Sequence, residues 1–143
     1  MPYEYLEDVA LSDVAFRAWG TTLEEMFVSA ADAVTNTMVE DLEGIADQVR
    51  RPIHVQDTEI DMLLFEFLQE VIFFKDAERL LLRVPDVGIE EEGGIYLLRA
   101  EGRGETLNAS KHELLVDVKA VTLHRYRVEK KDSGWEATVI LDT

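Results

Sequence analysis

The chain reads as an α+β fold, two amphipathic helices packed on a mostly antiparallel β-sheet, and three observations predict it. Apolar residues recur at helical spacing in just two stretches, 22–38 and 58–72. Most other apolar runs alternate at the period of two expected of half-buried strands. Turn residues, Gly93-Gly94 and Asp132-Ser133-Gly134, separate such runs at hairpin intervals. No repeat, low-complexity tract or long linker interrupts the pattern, so residues 1–143 are expected to form a single domain.

Taken in order, residues 3–7 and 13–19 form the opening strands, the second reading Asp13-Val-Ala-Phe-Arg-Ala-Trp19. The first helix opens at Thr22, where Thr22 and Glu25 make a capping-box pattern. Leu23, Met26, Phe27, Ala30, Val34 and Met38 then form one apolar stripe. Residues 52–56 make a short connecting strand. The second helix opens at Thr58, with Glu59 and Asp61 placed to complement its dipole, and carries Ile60, Leu63, Leu64, Phe67, Leu68, Val71 and Ile72 on one face. Residues 80–87 and 95–102 are expected to pair as a hairpin through Gly93-Gly94, with Gly102 and Gly104 marking a bulge or loop. Residues 114–130 read as one long strand alternating at Val116, Val118, Ala120 and Thr122. The turn at 132–134 leads into a last strand, 135–142, which ends on Asp142.

Composition narrows the function classes. A formal charge of −16, from 30 acids against 14 bases, repels phosphates over a Debye length of roughly 8–10 Å, so strong direct nucleic-acid binding is not expected. Residues 119–131 are the one local basic stretch. No apolar run approaches the roughly 20 residues of a membrane span, and the start, Met1-Pro-Tyr-Glu, lacks the basic and apolar regions of a secretory signal. The expectation is a cytoplasmic protein with no membrane partner. With no cysteine, thiolate nucleophiles and thiolate metal sites are excluded. There is no GxxxxGK[ST] loop, no GxGxxG after a strand and no HExxH helix, and His54, His112 and His124 are not at zinc-ligand spacing. No serine sits in a nucleophile elbow. An enzyme in its own right is therefore not expected.

What remains is a set of oxygen ligands and a lysine. If the strands opened by Asp13 and closed by Asp142 lie side by side, two acids from opposite ends of the chain meet, and Thr143 adds a carboxylate next door. Such oxygen donors suit a hard divalent cation, calcium, magnesium or manganese; the alternative is two solvated surface charges. Lys119, on the same strand face as Asp117, Val121 and Leu123, either pairs with a buried acid or a phosphate or snorkels from an edge strand. His124 reads as a proton relay or ligand, or as a satisfied polar group at a sheet margin.

These residues also resemble the archease family. The resemblance rests on Asp117-Val-Lys-Ala-Val-Thr-Leu-His124, Lys111-His112-Glu113 and the closing Val139-Ile-Leu-Asp142. At the front it rests on Tyr5-Leu-Glu-Asp8 before Asp13, Ala18-Trp-Gly20 and Thr22-Leu-Glu-Glu-Met-Phe27; it continues through Leu63-Leu64, Glu70 and Asp76-Ala-Glu78. It spans essentially the whole chain in the family's order. It implies a non-catalytic protein cofactor of an RtcB-type RNA-splicing ligase, which joins RNA ends in tRNA splicing and RNA repair using GTP and divalent metal. By resemblance the cofactor promotes guanylylation of the ligase and its multiple turnover. The resemblance implies a metal site at Asp13 and Asp142 and a functional role for Lys119. Where the family usually reads His-Thr-Ala-Asp, this chain reads Ala10-Leu-Ser-Asp13, with one residue added after Leu6-Glu-Asp8; Asp8 or Ser12 stands to replace the histidine's polar contact. The alternative that relatives suggest is a chaperone-like modulator of a tRNA methyltransferase.

Overall fold

Thr22 caps the first helix as the sequence requires. In a computed structural model, which describes residues 2–7 and 13–143, the Glu25 N–H donates to the Thr22 hydroxyl at 3.1 Å while the Thr22 N–H donates to Glu25 Oε2 at 3.3 Å. This reciprocal box satisfies two of the donors that a helix start leaves orphaned. It opens α1, Leu23–Met38, whose stripe of Met26, Phe27, Ala30, Val34 and Met38 is buried. Helix α2, Ile60–Glu78, starts two residues later than Thr58. Glu59 takes the N-cap position without a side-chain cap, and the Asp57 carboxylate accepts the Glu59 N–H at 3.0 Å.

The strands are β1 (Tyr3–Leu6), β2 (Asp13–Gly20), β3 (Val49–Asp57), β4 (Leu80–Arg83), β5 (Val87–Glu92), β6 (Ile95–Thr106), β7 (Ala120–Lys131) and β8 (Gly134–Asp142). Every pairing among them is antiparallel, as expected, but they form two four-stranded sheets instead of one. The first runs β1-β2-β8-β7; in the second, β6 is a spine with β3 on one side and β4 and β5 sharing the other. Each helix touches both sheets. Helix α1 packs on β1, β2 and β8 and reaches β4 and β5, while α2 packs on β3, β4 and β6 and reaches β7. The core lies among them, with Phe27 stacked on Phe67 at 5.8 Å and Phe16, Leu64, Leu98 and Leu141 fully buried. Among the described residues no helix is long and apolar enough to cross a membrane.

The structure corrects three further sequence expectations. Residues 80–87 are not one strand: Pro85, which has no N–H for a ladder, separates β4 from β5, and β5 is the strand that turns through Gly93-Gly94 into β6. Gly102 and Gly104 lie inside β6 and not in a loop. A Cβ on Gly104 would sit 1.7 Å from the Leu81 carbonyl oxygen, so glycine is there to let β4 approach. Residues 114–119 are not strand. The Leu115 N–H donates to the Met38 carbonyl and the Glu40 N–H to the Glu113 carbonyl, each at 2.9 Å, so this segment follows the end of α1.

Candidate functional site

The register of the first sheet decides the site. Strands β2 and β8 align so that Phe16 opposes Val139 and Ala18 opposes Ala137, all four buried. Slipping one residue would turn that set outward, so the register is strongly specified. The same register places Asp13 directly opposite Asp142. Their neighbours Val14 and Leu141 belong to the core, so alternation puts both carboxylates on the sheet face turned away from it, beside Ala15 and Ile140, which are buried on that face. Opposed residues of this kind hold their Cβ atoms about 4.5–5.5 Å apart. Asp13 is half-buried and Asp142 exposed.

On the other side of β8, Ala120 opens β7 opposite Asp142, and the Lys119 N–H donates to the Asp142 main-chain carbonyl at 2.8 Å. Lys119 is exposed at this corner, just before the strand on which sequence reasoning placed it among apolar neighbours. Thr143 follows Asp142, half-buried. His124 lies in an irregularity of β7, where the register jumps between Thr122 and Arg127 and Arg125 takes a left-handed φ of 55°. It is exposed there, and among the described residues no side-chain hydrogen bond or ion pair links it to Asp13, Asp142 or Lys119. Asp8 and Ser12 lie outside the described residues. The chain thus brings together Asp13, Asp142 and the backbone of Lys119, and not His124.

Among the described residues no three His, Asp or Glu side chains gather as a metal cage. Two opposed carboxylates fit a hard cation that completes its shell with water and carbonyl oxygen. They do not fit a closed tetrahedral zinc site.

Sequence reading missed two buried polar clusters that hold the approach to Lys119. Lys75 is 6% exposed, and its ammonium donates to Asp117 Oδ1 at 2.5 Å and to the Val118 carbonyl at 2.7 Å, and pairs with Asp76. Burial opposes its charge, but hydrogen bonds and attraction from Asp117 and Asp76 outweigh that and raise its pKa above the ordinary value. The available signal was a lysine in the stripe of Leu64, Leu68 and Val71, where an apolar residue belongs. The second cluster centres on Glu105, also 6% exposed. Its carboxylate accepts from Lys111 at 2.7 and 2.8 Å and from the Ala46 N–H at 2.8 Å. His112 Nδ1 accepts the Asn108 N–H at 3.0 Å, so Nε2 carries the proton and donates to Glu105 at 3.0 Å. Lys111 first, then the Ala46 N–H and His112, hold the Glu105 pKa down to about 2. Nothing in the spacing of these residues announces the cluster.

Comparison with known proteins adds a family. The family model described as the archease protein family matches residues 3–143. The chain is 34% identical over 141 residues to the protein archease of Pyrococcus furiosus, covering 98% of this chain and 97% of that one. To the protein archease of Methanosarcina mazei it is 33% identical, covering 98% and 94%. The solution structure of Methanobacterium thermoautotrophicum protein 1598 superposes with a TM-score of 0.85 at 31% identity, covering 99% of both chains. A crystal structure of an archease and possible chaperone from Thermotoga maritima gives 0.61 at 16% identity over 96% of this chain and 97% of that one, a likeness of fold.

Proposed function

Because the chain belongs to the archease family, we propose that it is a non-catalytic protein cofactor of an RtcB-type RNA-splicing ligase, promoting GTP-dependent guanylylation and multiple turnover in tRNA splicing and RNA repair. The observation that carries the reading is the direct opposition of Asp13 and Asp142 across β2 and β8. Like charges directly opposite in a sheet are destabilising, so a tightly specified register that enforces the pair calls for a role. A divalent cation held between the carboxylates would supply positive charge against transferring phosphoryl oxygens.

The chain's own residues do the rest. Asp13 and Asp142 point from the face of a rigid sheet turned away from the core, which fixes the carboxylates relative to each other. Lys119, tethered by its N–H to Asp142, stands at the edge of that pair and presents its ammonium either to a carboxylate or to a nucleotide phosphate. Thr143 lies beside the pair, and we assign His124 a peripheral part in ligase activation.

The test is guanylylation of the source organism's own ligase with GTP and Mn²⁺, with and without substoichiometric protein. Acceleration is expected with the wild type and should vanish in Asp13→Ala and in Asp142→Ala. Folded variants that stimulate as well as the wild type would overturn the reading. A second reading, a chaperone-like modulator of a tRNA methyltransferase, is favoured by one observation, the exposed run Leu114-Leu115-Val116. It expects activity indifferent to both aspartates, so the same variants separate the two.

A further inference from the structure

Among the described residues the buried charged and histidine side chains are Lys75, Glu105 and His112, and all three hold the β6–β7 connection, residues 107–119: Lys75 from α2, Glu105 from the end of β6 and His112 from within the connection. Burying such groups is costly unless each is paired, and a plain connector needs none of them. The two clusters clamp the segment at its start and at its end. Between the clamps, Leu114, Leu115 and Val116 stand out in succession, 39%, 48% and 43% exposed. Tyr5, 43% exposed, adjoins them: Thr37 donates its hydroxyl to the Tyr5 oxygen and takes the Val116 N–H on its carbonyl. Isolated apolar side chains at a surface are ordinary, whereas a contiguous run held rigidly outward marks an interaction site.

Charge complementarity says what fits it. The ridge is edged by Glu113, Asp117 and Glu40, the last joined to Glu113 through a backbone hydrogen bond, on a chain of net charge −16. Its complement is an apolar cleft rimmed by basic side chains, and a protein that handles RNA carries basic surface near its reacting centre. We propose that Leu114, Leu115 and Val116 form a preorganised ridge that docks into such a cleft on the RNA ligase; this rests on the ligase-cofactor reading above. The ridge leads within three residues to Lys119, whose N–H holds the Asp142 carbonyl, so docking would deliver the carboxylate pair to the partner's nucleotide site.

The experiment is calorimetric titration of the full chain into the source organism's ligase, using Leu115→Ser and Leu114→Ser, with thermal unfolding as the fold check and the guanylylation assay run in parallel. Each variant is expected to unfold at the wild-type temperature yet bind at least about tenfold more weakly. Wild-type affinity is expected to fall as salt rises. Variants that bind like a wild type that itself binds and accelerates the ligase would overturn the ridge and leave the cofactor reading standing. A wild type that neither binds nor accelerates would overturn both. Loss of self-association in the variants, with ligase binding unchanged, would assign the ridge to a second copy of the chain and overturn the proposal.

Discussion

Glu105 keeps its charge at acidities where most carboxylates have lost theirs, because Lys111, the Ala46 N–H and His112 surround it. Its folded pKa, about 2, lies below the ordinary 4.5, so the stabilisation it provides is fully present above about pH 4.5 and is lost as the pH falls toward 2. Replacing Glu105 with Gln should lower stability at neutral pH, and the gap to the wild type should close across that acid window. Urea unfolding at stepped pH measures it; a gap that stays constant down to pH 2 would remove Glu105 from the account. At this scale the sequence was only partly legible. The apolar stripes identified Phe27, Leu64 and Phe67 as core, and each is buried. Lys75 and His112 escaped because pairwise burial of polar groups has no period to read.

Elements were legible where two local signals agreed. Helix α1 had both a capping box and an apolar stripe, and its first turn forms as read. Helix α2 had the stripe and acids suited to its dipole but no capping box, and its start shifted from Thr58 to Ile60. The alternation at Val116, Val118, Ala120 and Thr122 misled for residues 114–119, since alternation does not say whether a partner strand is within reach; the end of α1 took the backbone hydrogen bonds of Glu113, Leu115 and Val116, and Lys75 took the Val118 carbonyl. The pair Gly102 and Gly104 misled in the opposite sense, a strand interior read as a break. Gly104→Ala tests why. The added Cβ would fall 1.7 Å from the Leu81 carbonyl oxygen, a backbone atom that cannot rotate away, so β4 and β6 must separate. We expect a loss of about 3 kcal/mol or more in chemical unfolding. A loss under about 1 kcal/mol would mean that β4 shifts freely and that the glycine serves some other end.

Over the whole molecule, the excess of acids sets a background against which any particular acidic pair must be distinguished. With a net charge of −16, added sodium chloride should stabilise the fold by screening self-repulsion. On the proposed reading a specific cation does more, acting through Asp13 and Asp142. These residues were legible as a candidate pair because strands at opposite ends of the chain each carried one, yet their opposition depended on a register that only the packed core could specify. The site then predicts two effects of opposite sign from one substitution. In chelator, Asp142→Asn should equal or exceed the wild type in stability, because it removes a like-charge opposition worth about 0.2–1 kcal/mol. With Ca²⁺ at about a hundred times its dissociation constant, the wild type should gain about 2.7 kcal/mol, a rise of roughly 8–10 °C in Tm, and the variant should gain none beyond what sodium chloride of equal ionic strength provides. Thermal unfolding of both proteins in chelator, calcium and matched sodium chloride separates screening from binding. A calcium shift that survives Asp142→Asn would place the cation elsewhere on the acidic surface and leave the opposed pair as an uncompensated charge contact.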